Sequence, residues 1–334
     1  MKNVIKYLWF KIQLFIGIKQ FQKTGITSKE AYYAFRQIFI FTGGKSNDRL
    51  SKKISKINPK NQVLGFEEGV LGIETEISLR AKVNEMHENG FVIFDSKLTE
   101  DIVNKLTDIA LTTPSRYIDL ESTDYSEKRV LFDPQNPLSP RYQFDVGDFI
   151  NNEQVQDLVF DKSLLNFAQE YLGSRPILDL IAFWWSAPFS GQGKSAAAQM
   201  YHFDMDRIKF IKFFFYLTDV TPESGPHCYV KGSHKTLPKS LRRDGRFADQ
   251  EIEHIYGVDN LVEICGKKGT ILAVDTRGFH KGKDLTDSNR LLLQIEFSNS
   301  MFGQSYPKID IAYIKNSHRD LANHNKNTYG EIFN

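Results

Sequence analysis

Two polar side chains, His202 and Asp204, stand two residues apart at the head of a β-rich segment. Side chains at positions i and i+2 of a strand point to the same face, so both can grip one metal ion. A third ligand from a distant strand would complete a face of two histidines and one carboxylate. On iron(II), that face leaves positions open for a co-substrate and for dioxygen. An oxygenase is therefore the leading hypothesis.

The second histidine of such a face has to come from elsewhere in the fold. His280 lies far downstream of Asp204, just after a predicted strand over residues 269–274, and Arg290 begins the next predicted strand. A guanidinium group holds a carboxylate through two hydrogen bonds in a fixed geometry. An arginine that enters the pocket beside the second histidine is well placed to anchor a dicarboxylic co-substrate.

The elements that must position these residues are strands in the second half of the chain. After Pro176, aromatic and β-branched residues dominate four segments, and Gly and Pro mark the connections between them. Helical patterns come first and strands later, which indicates an α+β architecture with a mainly β core at about residues 177–300. The predicted strands cover residues 177–185, 209–217, 269–274 and 291–297.

The first half of the chain is predominantly helical. We predict an N-terminal helical extension and linker over residues 1–75, with two helices before Gly43 and a connector at 45–70. The catalytic domain is predicted to span residues 76–334. Within it, we predict helices over 77–88 and 153–172, and a helix capped by Thr99.

Residues 112–150 contain four prolines and little periodicity, which favours a lid or binding segment. Arg141, Tyr142 and Gln143 in this segment are candidate substrate contacts. Trp184 and Trp185 occupy successive strand positions and must face opposite sides. Trp184 is a candidate wall of the substrate pocket, although core packing is the commoner role of a strand tryptophan.

The N-terminal residues 1–23 form a basic amphipathic pattern. Its apolar face can pack on the protein's own domain or on a partner subunit, which is the commoner use of such a stripe. It can also lie on an anionic membrane surface, and we therefore predict possible peripheral membrane contact through residues 1–23. The apolar face comprises Ile5, Leu8, Trp9, Ile12, Phe15 and Ile16.

Composition narrows the class of protein. The net charge is +2, so nucleic acid is not expected as a partner. The two cysteines, Cys228 and Cys265, form neither a disulfide framework nor a Cys-x-x-Cys metal site. Together with the lack of a long apolar run, this favours a cytoplasmic location, with membrane association possible through the N-terminal helix.

The sequence resembles the phytanoyl-CoA dioxygenase-like family of iron(II)/2-oxoglutarate oxygenases over roughly residues 80–300. The segments that carry the resemblance are 201–204, 215–220, 223–226 and 232–235, with His280 and Arg290. The resemblance implies a double-stranded β-helix, the jelly roll of cupin-like proteins, flanked by helices. It also implies iron ligation by His202, Asp204 and His280, with Asp204 preferred over the neighbouring Asp206.

The resemblance further implies iron(II) as cofactor, 2-oxoglutarate and dioxygen as co-substrates, and Arg290 as the 2-oxoglutarate anchor. The expected reaction is hydroxylation of an aliphatic carbon on a small or carrier-linked metabolite, with release of succinate and carbon dioxide. Related halogenases lack the carboxylate ligand, so its presence at Asp204 favours hydroxylation over halogenation. Desaturation, ring formation and epimerisation stay open as reactions of the same site. Two alternative functions also stay open: a non-enzymatic cupin-like metal- or ligand-binding protein, and a membrane-surface oxygenase acting on a lipid or polysaccharide precursor.

Overall fold

The computed structural model describes residues 2–61, 65, 69–119, 124–189 and 200–333. Helices dominate up to residue 112 and strands dominate from residue 177, as the sequence predicts. The helices are α1 (Lys2–Thr24), α2 (Lys29–Thr42), α3 (Lys45–Ile57), α4 (Glu76–Asn89), α5 (Glu100–Thr112), α6 (Glu153–Val159), α7 (Lys162–Leu172), α8 (Asp249–Tyr256), α9 (Asn316–His324) and α10 (Lys326–Tyr329).

Eleven strands among the described residues form two antiparallel sheets. They are β1 (Phe91–Lys97), β2 (Ser115–Ile118), β3 (Tyr125–Val130), β4 (Arg141–Gln143), β5 (Ile177–Ser186), β6 (Phe210–Tyr216), β7 (His227–Val230), β8 (Leu261–Ile264), β9 (Thr270–Val274), β10 (His280–Gly282) and β11 (Arg290–Ser298). The major sheet has the order β1-β9-β6-β11-β5-β4-β2-β3, and the minor sheet has the order β10-β7-β8. The fold is a double-stranded β-helix flanked by helices.

Alternation along the strands divides the core into layers. On β6, Phe213 and Phe215 join the cluster that packs under helices α4 to α7. The intervening Phe214 and Tyr216 join a smaller cluster with Tyr229 from the opposite sheet. Successive strand side chains point to opposite faces, so one face of the major sheet carries the helices and the other faces the minor sheet.

Helices α1 and α2 cover the outer face of the minor sheet. Phe35 and Phe39 of α2 belong to one buried cluster with Val230 and Phe279. A Cβ atom at Gly17 would lie 2.1 Å from the Cβ of Ala31, so glycine permits the close crossing of the two helices. The N-terminal helices are thus part of the packed structure.

The six apolar side chains predicted on one face of α1 are not packed on the protein's own domain. Their exposed fractions range from 49% for Trp9 to 63% for Ile5 and Phe15. The contacts to α2 instead come from Phe10 and Leu14, which are nearly fully buried. Within the described part of the chain, no helix combines the length and hydrophobicity needed to cross a membrane.

Several predictions about local elements are wrong. Residues 45–57 form α3 instead of a connector. The predicted helix over 153–172 is two helices, because Asp161 accepts a hydrogen bond from the amide of Leu164 and so begins α7. The segment 112–150 contributes β2, β3 and β4 to the major sheet, so the β core begins before residue 177. Ser28 caps α2, because its side chain accepts a hydrogen bond from the amide of Ala31.

Candidate active site

His202, Asp204 and His280 meet at one end of the minor sheet. His202 and His280 exchange two backbone hydrogen bonds, of 3.0 and 2.9 Å, which place the two imidazole rings 4.3 Å apart. The amide of Asp204 donates to the carbonyl of Thr276 at 2.7 Å and so brings the carboxylate to the same point. One ligand atom from each of the three side chains lies within 4.8 Å of the others.

Both imidazoles are oriented for metal binding. Nδ1 of His202 lies 2.9 Å from the carbonyl of Met200, and Nδ1 of His280 lies 3.0 Å from the carbonyl of Gly278. A carbonyl accepts a hydrogen bond, so Nδ1 of each ring carries the proton and Nε2 keeps its lone pair. The Nε2 atoms lie 3.7 and 3.5 Å from the Asp204 carboxylate oxygens. Burial, with a smaller effect of His280, lowers the pKa of His202 to about 3, which keeps that ring neutral.

A buried lysine that the sequence analysis missed holds the Asp204 carboxylate. Nζ of Lys212 lies 2.8 Å from Asp204, 2.9 Å from Asp206 and 3.6 Å from Glu296. Burial alone would raise the pKa of Asp204, but Lys212 and then His280 outweigh it and hold the pKa well below its usual range. The sequence does contain an indication of this role. Lys212 lies in the middle of the apolar strand 210–216, where burial of an unpaired charge is energetically unfavourable and a carboxylate partner is therefore expected.

Arg290 opens into the same cavity, which has a volume of about 190 Å³. Arg290 is 7% exposed, and among the described residues its guanidinium has no carboxylate partner and its buried Nε has no hydrogen-bond acceptor. Burial lowers the pKa of Arg290 to about 10, with Tyr216 opposing the shift and Arg141 adding to it. A buried arginine without a counter-ion is suited to an anionic ligand.

The four candidate substrate residues lie in two places. Arg141 and Trp184 line the cavity, with the guanidinium of Arg141 4.6 Å from the Trp184 ring centroid. Gln143 stands beside them and accepts a hydrogen bond of 3.1 Å from Arg141. Tyr142 points the other way because strand side chains alternate, and its ring packs in the core against Phe132. Tyr142 is therefore not a wall of the cavity.

Other histidines and polar residues near the triad have separate positions. His227 lines the cavity, and its ring stacks at 5.4 Å on His280. Thr276 also lines the cavity, whereas its neighbour Arg277 turns away and pairs with Asp275 at 2.6 Å. Asp206, the rival carboxylate, is not in the cluster of possible metal ligands and pairs with Lys212.

The sequence of residues 86–291, more than half of the chain, matches the family model described as phytanoyl-CoA dioxygenase (PhyH). The chain belongs to the phytanoyl-CoA dioxygenase family. Enzymes of this family use iron(II) and 2-oxoglutarate. The phytanoyl-CoA dioxygenase match contains His202, Asp204, His280 and Arg290, and it begins after α1, α2 and α3.

Solved structures of similar shape share little sequence with this family member. AviO1 from Streptomyces viridochromogenes Tue57 is 16% identical, with 68% of this chain and 97% of AviO1 covered and a TM-score of 0.46. The apo form of EctD from S. alaskensis is 17% identical, with coverages of 75% and 92% and a TM-score of 0.49. The epimerase SnoN, in complex with Fe3+, alpha ketoglutarate and nogalamycin RO, is 15% identical, with coverages of 67% and 84% and a TM-score of 0.47. A comparison with curated proteins found no match.

The donor set of this phytanoyl-CoA dioxygenase family member fits the family's cofactor and co-substrate. Two imidazole nitrogens and one carboxylate are ligands that suit iron(II), and the three side chains lie together in the cavity. The buried guanidinium of Arg290, which pairs with no carboxylate in the described part of the chain, suits the distal carboxylate of 2-oxoglutarate. The residues present could therefore hold both groups.

Proposed function

We propose that this protein is a hydroxylase that binds iron(II) through His202, Asp204 and His280 and 2-oxoglutarate through Arg290. The observation that supports this most is that Arg290 and the three possible metal ligands line a single cavity, where the buried guanidinium has no carboxylate partner from the described residues. Bound iron(II) and 2-oxoglutarate supply oxidative decarboxylation coupled to the activation of dioxygen. The substrate we propose is a small or carrier-linked metabolite, and the reaction we propose is hydroxylation of one of its aliphatic carbons.

The protein's own residues orient the reactants and exclude water. The carbonyls of Met200 and Gly278 fix both imidazoles with Nε2 toward the centre. Lys212 keeps Asp204 ionised, so that this carboxylate remains a ligand. Trp184, Phe214 and Leu292 provide an apolar wall for the cavity. Arg141 also lines it and supplies a second positive charge for an anionic part of the substrate.

Exchanging Arg290 for glutamine tests the assignment of the 2-oxoglutarate anchor. We expect KM for 2-oxoglutarate to rise at least about 30-fold, because losing one partner of a buried charged hydrogen bond costs about 2 kcal/mol or more. Folding should not suffer, since the guanidinium has no carboxylate partner among the described residues. Succinate formation from 2-oxoglutarate in the presence of iron(II) and dioxygen, without added substrate, provides the assay.

Arg141→Gln is the matched control, because this arginine lines the same cavity but already lies over Trp184 and donates to Gln143. Its KM for 2-oxoglutarate should stay within about threefold of the wild-type value, below the loss from a buried charged contact. A larger effect at Arg141 than at Arg290 would reverse the two roles. Iron-loaded wild-type protein that forms no succinate would support the non-enzymatic binding protein instead.

A second proposal concerns where the enzyme acts. We propose that the exposed face of α1 binds an anionic membrane surface, which would present a lipid or a membrane-linked precursor as substrate. Helix α1 carries five lysines and no acidic residue. The six apolar side chains of its predicted face are about half exposed or more, while Phe10 and Leu14 anchor the opposite face. A basic helix with exposed Trp, Phe and Leu residues is typical of interfacial membrane binding.

Vesicle co-sedimentation tests this surface with the double variant Trp9→Glu/Phe15→Glu. The control variant is Ile77→Glu, which places the same charge at an exposed isoleucine on α4. Wild type and the control should bind vesicles that contain phosphatidylserine and leave phosphatidylcholine vesicles unbound. The double variant should bind at least about tenfold more weakly, because each aromatic side chain contributes roughly 1.5–3 kcal/mol when buried. Equal binding by all three proteins would contradict the proposal, as would a wild-type dimer that does not bind vesicles.

A further inference from the structure

A second cavity, of about 480 Å³, lies between α3 and the part of the chain that matches the family. One face of α3 and the end of α7 line this cavity. The residues are Asp48, Ser51, Lys52 and Ser55 from α3, and Leu172 and Gly173 at the end of α7. We call it the α3 cavity. It shares no lining residue with the cavity at His202.

The α3 cavity is strongly basic. Four cationic side chains line it, and Asp48 is the carboxylate among the lining residues. The second nearby carboxylate, Asp275, is fully buried and is held by Arg277 through hydrogen bonds of 2.6 to 3.1 Å. Counting both carboxylates, the cavity has an excess of two positive charges. The cationic side chains are Lys52, Lys209, Lys235 and Arg277.

The three lysines of the α3 cavity form no ion pair in the part of the chain that the structure describes, whereas many other lysines of the protein have carboxylate partners. Lys209 is held in place without a counter-ion, since its ammonium donates to the carbonyl of Tyr171 and lies 4.2 Å from that ring's centroid. Burial and then Arg277 lower the pKa of Lys209 to about 8. Cations in excess of the carboxylates around one cavity favour a bound anion.

Neutral hydrogen-bond donors complete the lining. Ser51 accepts a hydrogen bond of 3.0 Å from Asn299, which leaves its own hydroxyl proton available to the cavity. Helix α3 is fixed against the domain, because Asn47 donates to the carbonyl of Ile208 at 2.9 Å and Asn58 donates to that of Arg175 at 3.1 Å. The donors on α3 and those on the domain therefore face each other at fixed positions.

We propose that the α3 cavity binds the phosphate group of a small molecule. A phosphate ester carries close to two negative charges at neutral pH and three acceptor oxygens, which match the excess of two positive charges and the donors on several sides. Lysines bind phosphate as point charges, without the paired geometry that selects a carboxylate. The volume leaves room for the organic part of the ligand beyond the phosphate. The N-terminal segment that precedes the family match thus supplies one wall of a binding site.

Titration calorimetry of the full-length protein with inorganic phosphate tests this site. Lys52→Gln and Lys209→Gln should each bind phosphate about tenfold more weakly than wild type, since a charged hydrogen bond contributes about one factor of ten. Lys52 is exposed on α3, so its exchange leaves the fold intact even if Lys209→Gln does not fold. Lys53→Gln is the matched control, because its neighbouring position on α3 does not line the cavity. Lys53→Gln should bind as wild type does.

Two further titrations, both with the Arg290→Gln protein, complete the test. Arg290→Gln should retain phosphate binding, because the proposed site does not include the cavity at His202. Succinate, a dicarboxylate, should bind this site more weakly than phosphate in the Arg290→Gln protein. The proposal is overturned if wild type shows no saturable phosphate binding, if Lys52→Gln binds like Lys53→Gln, if Arg290→Gln alone loses binding, or if succinate binds as tightly as phosphate.

Discussion

Asp204→Ala is expected to abolish the turnover of 2-oxoglutarate, whereas Asp206→Asn retains it. The Asp204 carboxylate lies 3.7 and 3.5 Å from the two imidazole Nε2 atoms, and the Asp206 carboxylate pairs with Lys212 outside that cluster. Loss of an outer partner of a metal ligand lowers metal affinity 10- to 100-fold, so loss of a ligand itself should lower iron affinity by more than about 100-fold. Iron titration and succinate formation measure the two effects.

Comparison of Asp204→Ala with Asp206→Asn shows which of the two carboxylates, two residues apart on the chain, is the metal ligand. Both variants remove one negative charge beside Lys212, so a general electrostatic effect would appear in both. The iron affinity of Asp206→Asn should stay within a few-fold of the wild-type value. This change is smaller than the 10- to 100-fold loss that follows removal of an outer partner of a metal ligand. Iron binding that survives in Asp204→Ala and is lost in Asp206→Asn would assign the carboxylate ligand to Asp206.

Lys212→Met is expected to lower the free energy of unfolding of the metal-free protein by about 3–5 kcal/mol, as when one partner of a buried ion pair is removed. Lys212 lies within 3.6 Å of three carboxylates, and its side chain is only 9% exposed. Burial disfavours its charge, but Asp204, Asp206 and Glu296 outweigh burial and hold the pKa of Lys212 well above the ordinary value. Without the ammonium, these carboxylates repel one another or must take up protons.

Urea unfolding at neutral pH in the presence of a chelator measures this loss. Lys267→Met is the control, because Lys267 also pairs with an aspartate, at 3.0 Å, but is 74% exposed. Exposed pairs contribute about 1 kcal/mol or less, so the control should differ little from wild type. A Lys212→Met protein no less stable than the control would show that the buried carboxylates are neutralised in another way.

The parts of the fold that follow local sequence rules could be predicted. Thr99 begins α5 and Gly43 ends α2, because an N-cap hydroxyl and a left-handed glycine are signals contained in a few residues. Strand β11 and its neighbours were predicted from apolar runs. Helix α3 was missed because its one buried residue is the polar Asn47, and tertiary hydrogen bonds such as that of Asn47 hold the helix in place.

The candidate site shows the same division between local and long-range information. His202 and Asp204 are neighbours in the sequence, so their shared face could be inferred from spacing alone. Lys212 was missed because its partners are defined by the pairing of β6 with β11, which sets Lys212 opposite Glu296. Pairing likewise places Arg141 and Arg290 on either side of Ser186, and this register is not contained in any local pattern.

The exposed face of α1 is the reverse case. The sequence predicted the stripe correctly but favoured packing against the domain or a partner subunit, since most amphipathic helices use such a stripe in this way; the stripe is exposed on this chain. The contacts to α2 are made by a second apolar set, Phe10 and Leu14, together with Gly17. A helix with apolar residues on two faces gives no local indication of which face is buried.

Anaerobic visible absorption on adding iron(II) and then 2-oxoglutarate tests the site most directly. Wild type should develop a weak metal-to-ligand charge-transfer band, His202→Ala should lose it, and Arg290→Gln should need more 2-oxoglutarate to reach it. His227→Gln should keep the band, because His227 lines the cavity without belonging to the triad. No band in wild-type protein with iron loading confirmed, or a band that survives in His202→Ala, would contradict the proposed iron and 2-oxoglutarate site.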